Sequence, residues 1–495
     1  MSSHLSAPDS AGAQEHRDRP TRRAQVHAVA VLLATTVLPL TITGASVALP
    51  GIQHDLQTST VAAQWVVNAY NATFAAFLVL GGAVTDRWSP YRVFLSGVAV
   101  FAVASAASAF APTVLVLNLT RAVTGVGAAA TVTGGVALLS VVLTGRAQAR
   151  AFGLLGTLLG VGLAFGPQLS GVALETLGWQ AVFGVPAAVG VLVIGLVLAA
   201  RRPAAGRRTS AHPPFDWAGA LLFTGASLIG IATLVEAPRL GATHPLLWGG
   251  ATLSAVLLLL FVGVERRVAH PVTDLTLLRN PRYTAIAITA GTLMVVLVPI
   301  LVYLPSYLIN VVGLSPTEAG AWMLVLTAPT IALPPVGGIL IRNIGMTPVL
   351  VTSVVLCGIG ALGLVTLSPG STLPAMALPL MAIGAGAGLP SGHIDRLAVS
   401  EADESRRGAA AGLFNTIRLS TENVSIAAAG AFIAAASPVG LRGRHFTDAL
   451  HTVALVLAAI AIAVAVLLVV VDRRARGAGR VEHAAPAPVR PAVSE

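Results

Sequence analysis

Apolar residues run along this chain in long stretches, and polar and charged residues gather in short intervals between them. A bilayer core about 30 Å thick needs about 20 apolar residues of helix to cross it. The pattern predicts fourteen such helices, over residues 27–49, 62–84, 92–111, 113–143, 149–174, 179–200, 215–236, 246–264, 283–308, 317–341, 347–368, 372–399, 408–435 and 448–471. The fourth and twelfth stretches are longer than a span and are expected to protrude on one side. Pro112 supports the split between the third and fourth. The pieces between spans are too short to bury cores of their own. The expected fold class is therefore an all-α polytopic membrane bundle with no separate soluble catalytic or nucleotide-binding domain.

Composition agrees. Of 495 residues, 55% are hydrophobic and 10% charged, whereas soluble proteins are about 25% charged. All 30 basic residues other than histidine are arginine. Without lysine there is no phosphate-binding loop of the Walker type and no Schiff-base site. The single cysteine, Cys357, excludes an internal disulfide and a cysteine-based zinc site. A net charge of +10 raises nucleic-acid binding, but the placement of the arginines argues for topology instead. With the N-terminus in the cytoplasm, 25 arginines fall in cytoplasmic segments, three (Arg239, Arg442, Arg444) fall outside, and two (Arg121, Arg418) lie within spans. Such a bias is the positive-inside signature. It predicts a multi-pass protein of the cell membrane, both termini cytoplasmic, with the lipid bilayer as partner and neither nucleic acid nor nucleotide. The first apolar stretch exceeds a signal-peptide core and is read as a retained span.

A shift of 256 residues brings Gly81-Gly82 onto Gly337-Gly338, Ser59 onto Ser315, Val93 onto Val349 and Arg150 onto Arg406. The repeat predicts a cytoplasmic tail (1–26), an N-terminal six-helix bundle (27–200), a linker with two extra spans (201–282), a C-terminal six-helix bundle (283–472) and a disordered tail (473–495). Duplicated bundles with a site between them near the midplane are a secondary-transporter architecture.

Three motifs carry chemistry. Span 2 ends in Gly81-Gly82-Ala83-Val84-Thr85-Asp86-Arg87, followed by Arg92. Small residues permit close helix approach, and Asp86 is placed to receive a neighbouring helix N-terminus. Span 4 carries Arg121, Gly125 and Gly127; an arginine inside a span is costly unless paired or hydrated, and marks a functional position. Span 5 carries Gly162, Gly166, Pro167, Ser170 and Gly171. These segments resemble, respectively, the G-x-x-x-D-R loop signature, the R-x-x-x-G-x-G span-4 motif and the G-x-x-x-G-P-x-x-G-G antiporter signature of the major facilitator superfamily. Gln64 to Tyr70, Asp216 to Gly219, Leu304 to Leu308, Gly313 to Pro316, and Gly408, Gly412, Asn415 and Arg418 are similar to its fourteen-span drug:proton antiporters. The resemblance implies conformational gating by Gly82, Asp86, Arg87, Arg92, Gly162, Gly166, Pro167 and Gly171. It implies proton coupling at Arg121, packing at Gly125 and Gly127, and the direction of transport, outward, from the span-5 signature.

The chain departs from that group in span 1, where Thr41 stands at the usual acidic position, and in loop 10–11, where Arg342 replaces the aspartate. The one acid deep inside a span is Glu422, with Arg418 a turn earlier on the same face. Two readings of Glu422 stand side by side: a proton carrier, or a static pair with Arg418. Asn68, Tyr70, Asn71, Asn415 and Asn423 are candidates to line a substrate cavity, with Tyr303 and Asn310 as lesser ones. Trp65 and Tyr307 read first as interface anchors, and His393 and Asp395 as packing at the inner end of span 12.

The expected function is proton-driven export of a small amphipathic compound, an antibiotic or toxic metabolite, by a monomer that needs no cofactor beyond the ion gradient. The alternatives are an importer or metabolite permease of the same fold, a polytopic membrane enzyme, and a membrane sensor. An enzyme would need clustered His, Asp or Glu at one membrane face. No such cluster stands out, and the chain reads as non-enzymatic.

Overall fold

A computed structural model describes residues 21–200, 216–241, 243–268, 275–402, 407–437 and 441–483. In order, the first six α-helices are α1 (Arg22–Asp55), α2 (Thr60–Arg87), α3 (Pro90–Ala109), α4 (Val114–Val142), α5 (Gly145–Leu177) and α6 (Trp179–Ala199). Two more follow, α7 (Trp217–Leu240) and α8 (Pro245–Glu265). The remainder are α9 (Pro281–Tyr307), α10 (Pro316–Ala332), α11 (Pro334–Ile344), α12 (Met346–Gly363), α13 (Leu373–Gly388), α14 (Ile394–Ser400), α15 (Arg407–Ala436) and α16 (Gly443–His483). No strand occurs among the described residues.

The helix starts follow from local chemistry. Thr21, Ser59, Thr113, Asp216 and Asn280 each cap a helix with a side-chain oxygen. Ser315 and Glu318 form a reciprocal capping box at α10. Proline opens α3, α8, α9, α10 and α11, where its missing N–H costs nothing. Gly178, Gly241 and Gly345 reverse the chain with φ between 80 and 91°.

Ten described helices are long and apolar enough to cross a membrane, and eleven if α10 and α11 count as one bent span. The chain is thus a multi-pass membrane protein. Two expected spans are broken rather than continuous. The tenth bends by 45° between α10 and α11, where Pro334 and Pro335 deny the preceding turn its hydrogen bonds. The twelfth stops at Gly388 and resumes at Ile394 after a turn through Gly392 (φ 73°). Its surplus length is that turn and α14, not a straight protrusion. Helices α3 and α4 separate at residues 110–113, as Pro112 requires.

Helices α1–α6 form one bundle and α9–α16 another. Glycine marks equivalent packing in both: a Cβ at Gly81 would meet Thr133 of α4, and one at Gly337 would meet Leu389, just past α13. The added pair α7–α8 is asymmetric. Helix α7 packs against α2 and α15, with Ile231 and Val235 seated on Ala72 and Ala427. Helix α8 touches little beyond α7 and leaves Leu246, Trp248, Leu253 and Leu259 exposed, the composition of a lipid-facing surface.

Candidate functional site

Arg121 is buried in the first bundle at 1% exposure. Its Nε donates to the Val66 carbonyl at 2.8 Å. Its guanidinium lies 4.3 Å from the Tyr70 ring centroid and 5.4 Å from that of Phe183. Glycine makes this possible. A Cβ at Gly125 would strike the Tyr70 carbonyl and Thr73 of α2, and one at Gly127 would strike the Phe101 backbone of α3. The span-4 glycines therefore face two neighbours and let α4 lie close on both.

Among the described residues, the Arg121 Nη1 and Nη2 and the neighbouring Tyr70 hydroxyl are buried without a hydrogen-bond partner; so are Nδ2 of Asn68 and of Asn71 on the same helix, Asn68 lying toward Tyr303 of the other bundle. Unpartnered buried donors each cost on the order of 1–3 kcal/mol. Convergent polar groups in apolar walls are the make-up of a small-molecule site. Asn423 is spent differently, its amide donating to the Leu419 carbonyl at 2.8 Å. Asn415 lies one turn before Leu419 on the same helix, α15.

Glu422 is the sixteenth of 30 residues of α15, at its midpoint. The static pair with Arg418, one of the two readings of Glu422, is not what the structure contains. Arg418 donates from Nη1 to Asp395 Oδ1 of α14 at 3.1 Å, and Glu422 makes no ion pair among the described residues. Sequence distance hid this partner, 23 residues upstream across a broken helix. Glu422 still bears electrostatically on Arg418 and, across the interface between bundles, on Tyr70, which in turn feels Arg121. Thr41 bonds the Val37 carbonyl at 3.0 Å and is 1% exposed; it has no proton to exchange near neutrality.

The span-5 signature divides its work. Gly162 and Gly166 lay α5 against Thr36 and Thr43 of α1, whereas a Cβ at Gly171 would meet Pro316 and Thr317 of the other bundle. Gly320 of α10 reciprocates: a Cβ there would lie 2.9 Å from the Pro167 carbonyl oxygen and 2.7 Å from Gln168 Cα. Pro167 lies within α5 beside this contact. Further cross-bundle bonds join Ser46 Oγ to the Leu301 carbonyl (3.1 Å) and Gln64 Nε2 to the Gly430 carbonyl (2.8 Å). Thr317 bonds Glu175 at 3.0 and 2.7 Å. All of these sit at the end of the molecule that carries few arginines.

At the arginine-rich end Arg92 is exposed. A Cβ at Gly82 would meet nothing within 4 Å, so close packing there belongs to Gly81, where a Cβ would lie 2.8 Å from Thr133 Oγ1. The side chains of Asp86 and Arg87 lie outside the described residues.

The anchor assignment of Tyr307 is corrected. Tyr307 is fully buried, hydrogen-bonded to Thr447 at 3.1 Å and set edge-on to Phe446. Trp65 donates to Glu236 of α7 at 2.8 Å, and Glu236 pairs with Arg239 at 2.9 Å. Tyr303 is buried and donates to the Ile426 carbonyl at 3.1 Å. Asn310 lines a cavity of about 420 Å³ at the arginine-poor end, with Arg444 and Asp448. His393 contacts the Pro334 carbonyl at 3.0 Å. Among the described residues no group of three metal-ligating side chains converges.

Residues 31–421 match the sequence model of the Major Facilitator Superfamily. The chain is 29% identical over 395 residues to a Mycobacterium tuberculosis protein named multidrug resistance protein Stp, covering 79% of this chain and 72% of that one. It is 32% identical over 399 residues to the tetracenomycin C resistance and export protein of Streptomyces glaucescens, covering 78% and 71%. A solved structure of a POT family transporter in complex with 5-aminolevulinic acid superposes with a TM-score of 0.68 over 90% of this chain and 96% of that one. At 12% identity it speaks for the fold alone.

Proposed function

The chain belongs to the Major Facilitator Superfamily, and on that premise we propose that it is a proton-driven exporter of a small amphipathic compound, an antibiotic or other toxic metabolite, working by alternating access. Its family and relatives are transporters rather than enzymes. The observation that carries the reading is Glu422: a carboxyl at mid-helix, without an ion pair among the described residues, within electrostatic reach of Tyr70 in the opposite bundle. An ionisable group at that depth is expensive unless it performs a function, and this one lies where the bundles meet.

The arginine-rich end is assigned to the cytoplasm, and with it both termini, in a monomer of the cell membrane. The state described is then closed outside, by α5 on α10 and α1 on α9. The buried unpartnered donors of Asn68, Tyr70, Asn71 and Arg121 are the polar groups assigned to the substrate once the bundles part. Gly162, Gly166, Pro167 and Gly171 form the surface that closes and parts. Export is favoured over import by the two relatives named for resistance and by the span-5 signature at the closing contact.

The test is a susceptibility panel in an efflux-deficient host, followed by transport of the protected compound into everted vesicles. The wild type should transport under an imposed proton gradient and stop with an uncoupler. Glu422→Gln should reach the membrane at normal level and lose gradient-driven transport. Undiminished gradient-driven transport by that variant would remove Glu422 from the mechanism.

A further inference from the structure

Arg418 stands between two carboxylates. Asp395, on α14 toward the arginine-rich end, takes its Nη1 at 3.1 Å. Glu422 lies one turn of α15 away in the other direction, about 6 Å along the axis, on the same face, and feels the Arg418 charge. One long cation on a flexible stem can serve either acid, but not both fully.

We propose that Arg418 is a shuttle: it rests on Asp395 while Glu422 holds a proton, and swings to Glu422 when that carboxyl gives the proton up. This rests on Glu422 being the proton carrier. The only bond that breaks is the Glu422 O–H, whose proton passes to water on the side the site faces. On the return stroke the same bond re-forms. Arg418 remains protonated throughout.

The two acids are unequal in the way an exchange requires. The Asp395 side chain is 43% exposed, so water takes over its carboxylate when Arg418 leaves. Glu422 sits at mid-helix, where a bare carboxylate costs more. The exchange also has a mechanical output. Helix α14 is joined to α13 by the turn through Gly392 and is tied to α15 by this ion pair. At its start His393 contacts the Pro334 carbonyl beside the α10–α11 bend. Loss of the pair removes the polar tie and leaves the apolar contact of Ile394 and Ala398 with Leu413 and Phe414 to hold the two helices when Glu422 deprotonates.

Several titratable groups on the elements packed against α15 are already engaged, and Arg396 of α14 and Arg282 of α9 lie with Asp395 toward the arginine-rich end. On α9, Tyr283 and Tyr303 donate to the Ala410 and Ile426 carbonyls. On α7, Glu236 pairs with Arg239 near the arginine-poor end and Asp216 caps the opposite end. On α16, His451 contacts the Leu367 carbonyl. Tyr70 of α2, with Arg121 behind it, completes the surroundings.

The test needs no transported compound. Full-length protein in lipid nanodiscs is titrated by infrared difference spectroscopy, following the protonated-carboxyl band that Glu422→Gln removes. In Asp395→Asn, Arg418 has only Glu422 to serve, and the band midpoint should move to lower pH by about one unit or more. In Arg418→Gln the midpoint should move the opposite way, and Asp395→Glu should leave it in place. Arg418→Gln stands as an independent arm if Asp395→Asn does not assemble. An unmoved midpoint in either variant, or shifts of the same sign, overturns the shuttle while leaving Glu422 as carrier. A spectrum in which Glu422→Gln removes no titrating band overturns both.

Discussion

Glu175, at the end of α5, caps the start of α10 across the interface between bundles. The Thr317 N–H donates to Oε1 at 3.0 Å and the Thr317 hydroxyl to Oε2 at 2.7 Å. A carboxylate at a helix N-terminus is favoured by the unpaired N–H groups there. Here the acid and the helix belong to different bundles, so the cap is also a latch.

The latch has a defined pH dependence. The Thr317 hydroxyl first, then its backbone N–H, hold the Glu175 carboxyl below the usual glutamate range. A lowered value means that the contact is fully present above the ordinary pKa of about 4.3 and is lost only as pH falls through the lowered one. Spin labels at Leu177 and Leu314 should report one short distance from pH 7 down to about 5, broadening only below about 4. Glu175→Ala should broaden the distribution at every pH. Separation between pH 7 and 5 in the wild type would show that another group governs the latch.

In the proposed transport cycle, closure at the same end depends on Gly171. A Cβ there meets the Pro316 carbonyl, backbone that cannot step aside. Overpacking costs about 1–3 kcal/mol, and only in the closed state, which shifts the closed-to-open ratio about 5- to 150-fold. Gly171→Ala should keep surface expression and lose most efflux. A cysteine introduced at Ser46, which bonds Leu301 across the interface, should become more reactive to an external thiol reagent. Retained efflux with unchanged reactivity would mean that the bundles do not meet there during transport.

Ser170 stands where the span-5 signature has glycine, and it packs against Gly44 of α1. The Ser170 hydroxyl occupies the space a Gly44 Cβ would need. Gly44→Ala alone should lower the thermal midpoint, Ser170→Gly alone should do little, and the double variant should recover most of the loss. A coupling of about 0.5–3 kcal/mol is expected for residues in contact. Additive effects would show that α1 and α5 adjust independently.

What the chain revealed by reading follows from range. Apolar length and arginine placement report on single helices, so the spans emerged from them, as did Arg121 with its two glycines. Contacts between helices are a different matter. The Arg418–Asp395 pair, the Trp65–Glu236 bond and the burial of Tyr307 against Phe446 join residues 23, 171 and 139 positions apart, and no periodicity encodes which faces meet. The bend at Pro334 lies inside what reads as one span, although Pro334 and Pro335 carry its signal. The break after Gly388 was masked by a run that stays apolar through it, and only the cluster Pro390, Gly392 and His393 hints at the turn.

Arg121 offers a test of whether charge or geometry matters in the first bundle. A lysine there keeps the charge and loses two things: the directed Nε–H bond to the Val66 carbonyl and the flat stack on Tyr70. A desolvated cation–π contact is worth about 2 kcal/mol, and a lost charge-assisted hydrogen bond about 1.5–3, so Arg121→Lys should cut efflux at least tenfold. Tyr70→Phe keeps the ring face and should retain more efflux than Tyr70→Ala, which removes it. If Arg121→Lys equals wild type, the cation acts as a bare charge and the stack is packing alone. If Tyr70→Phe is as poor as Tyr70→Ala, the hydroxyl is the active part, and it then serves as the contact between Arg121 and Glu422 rather than as a shelf for the guanidinium.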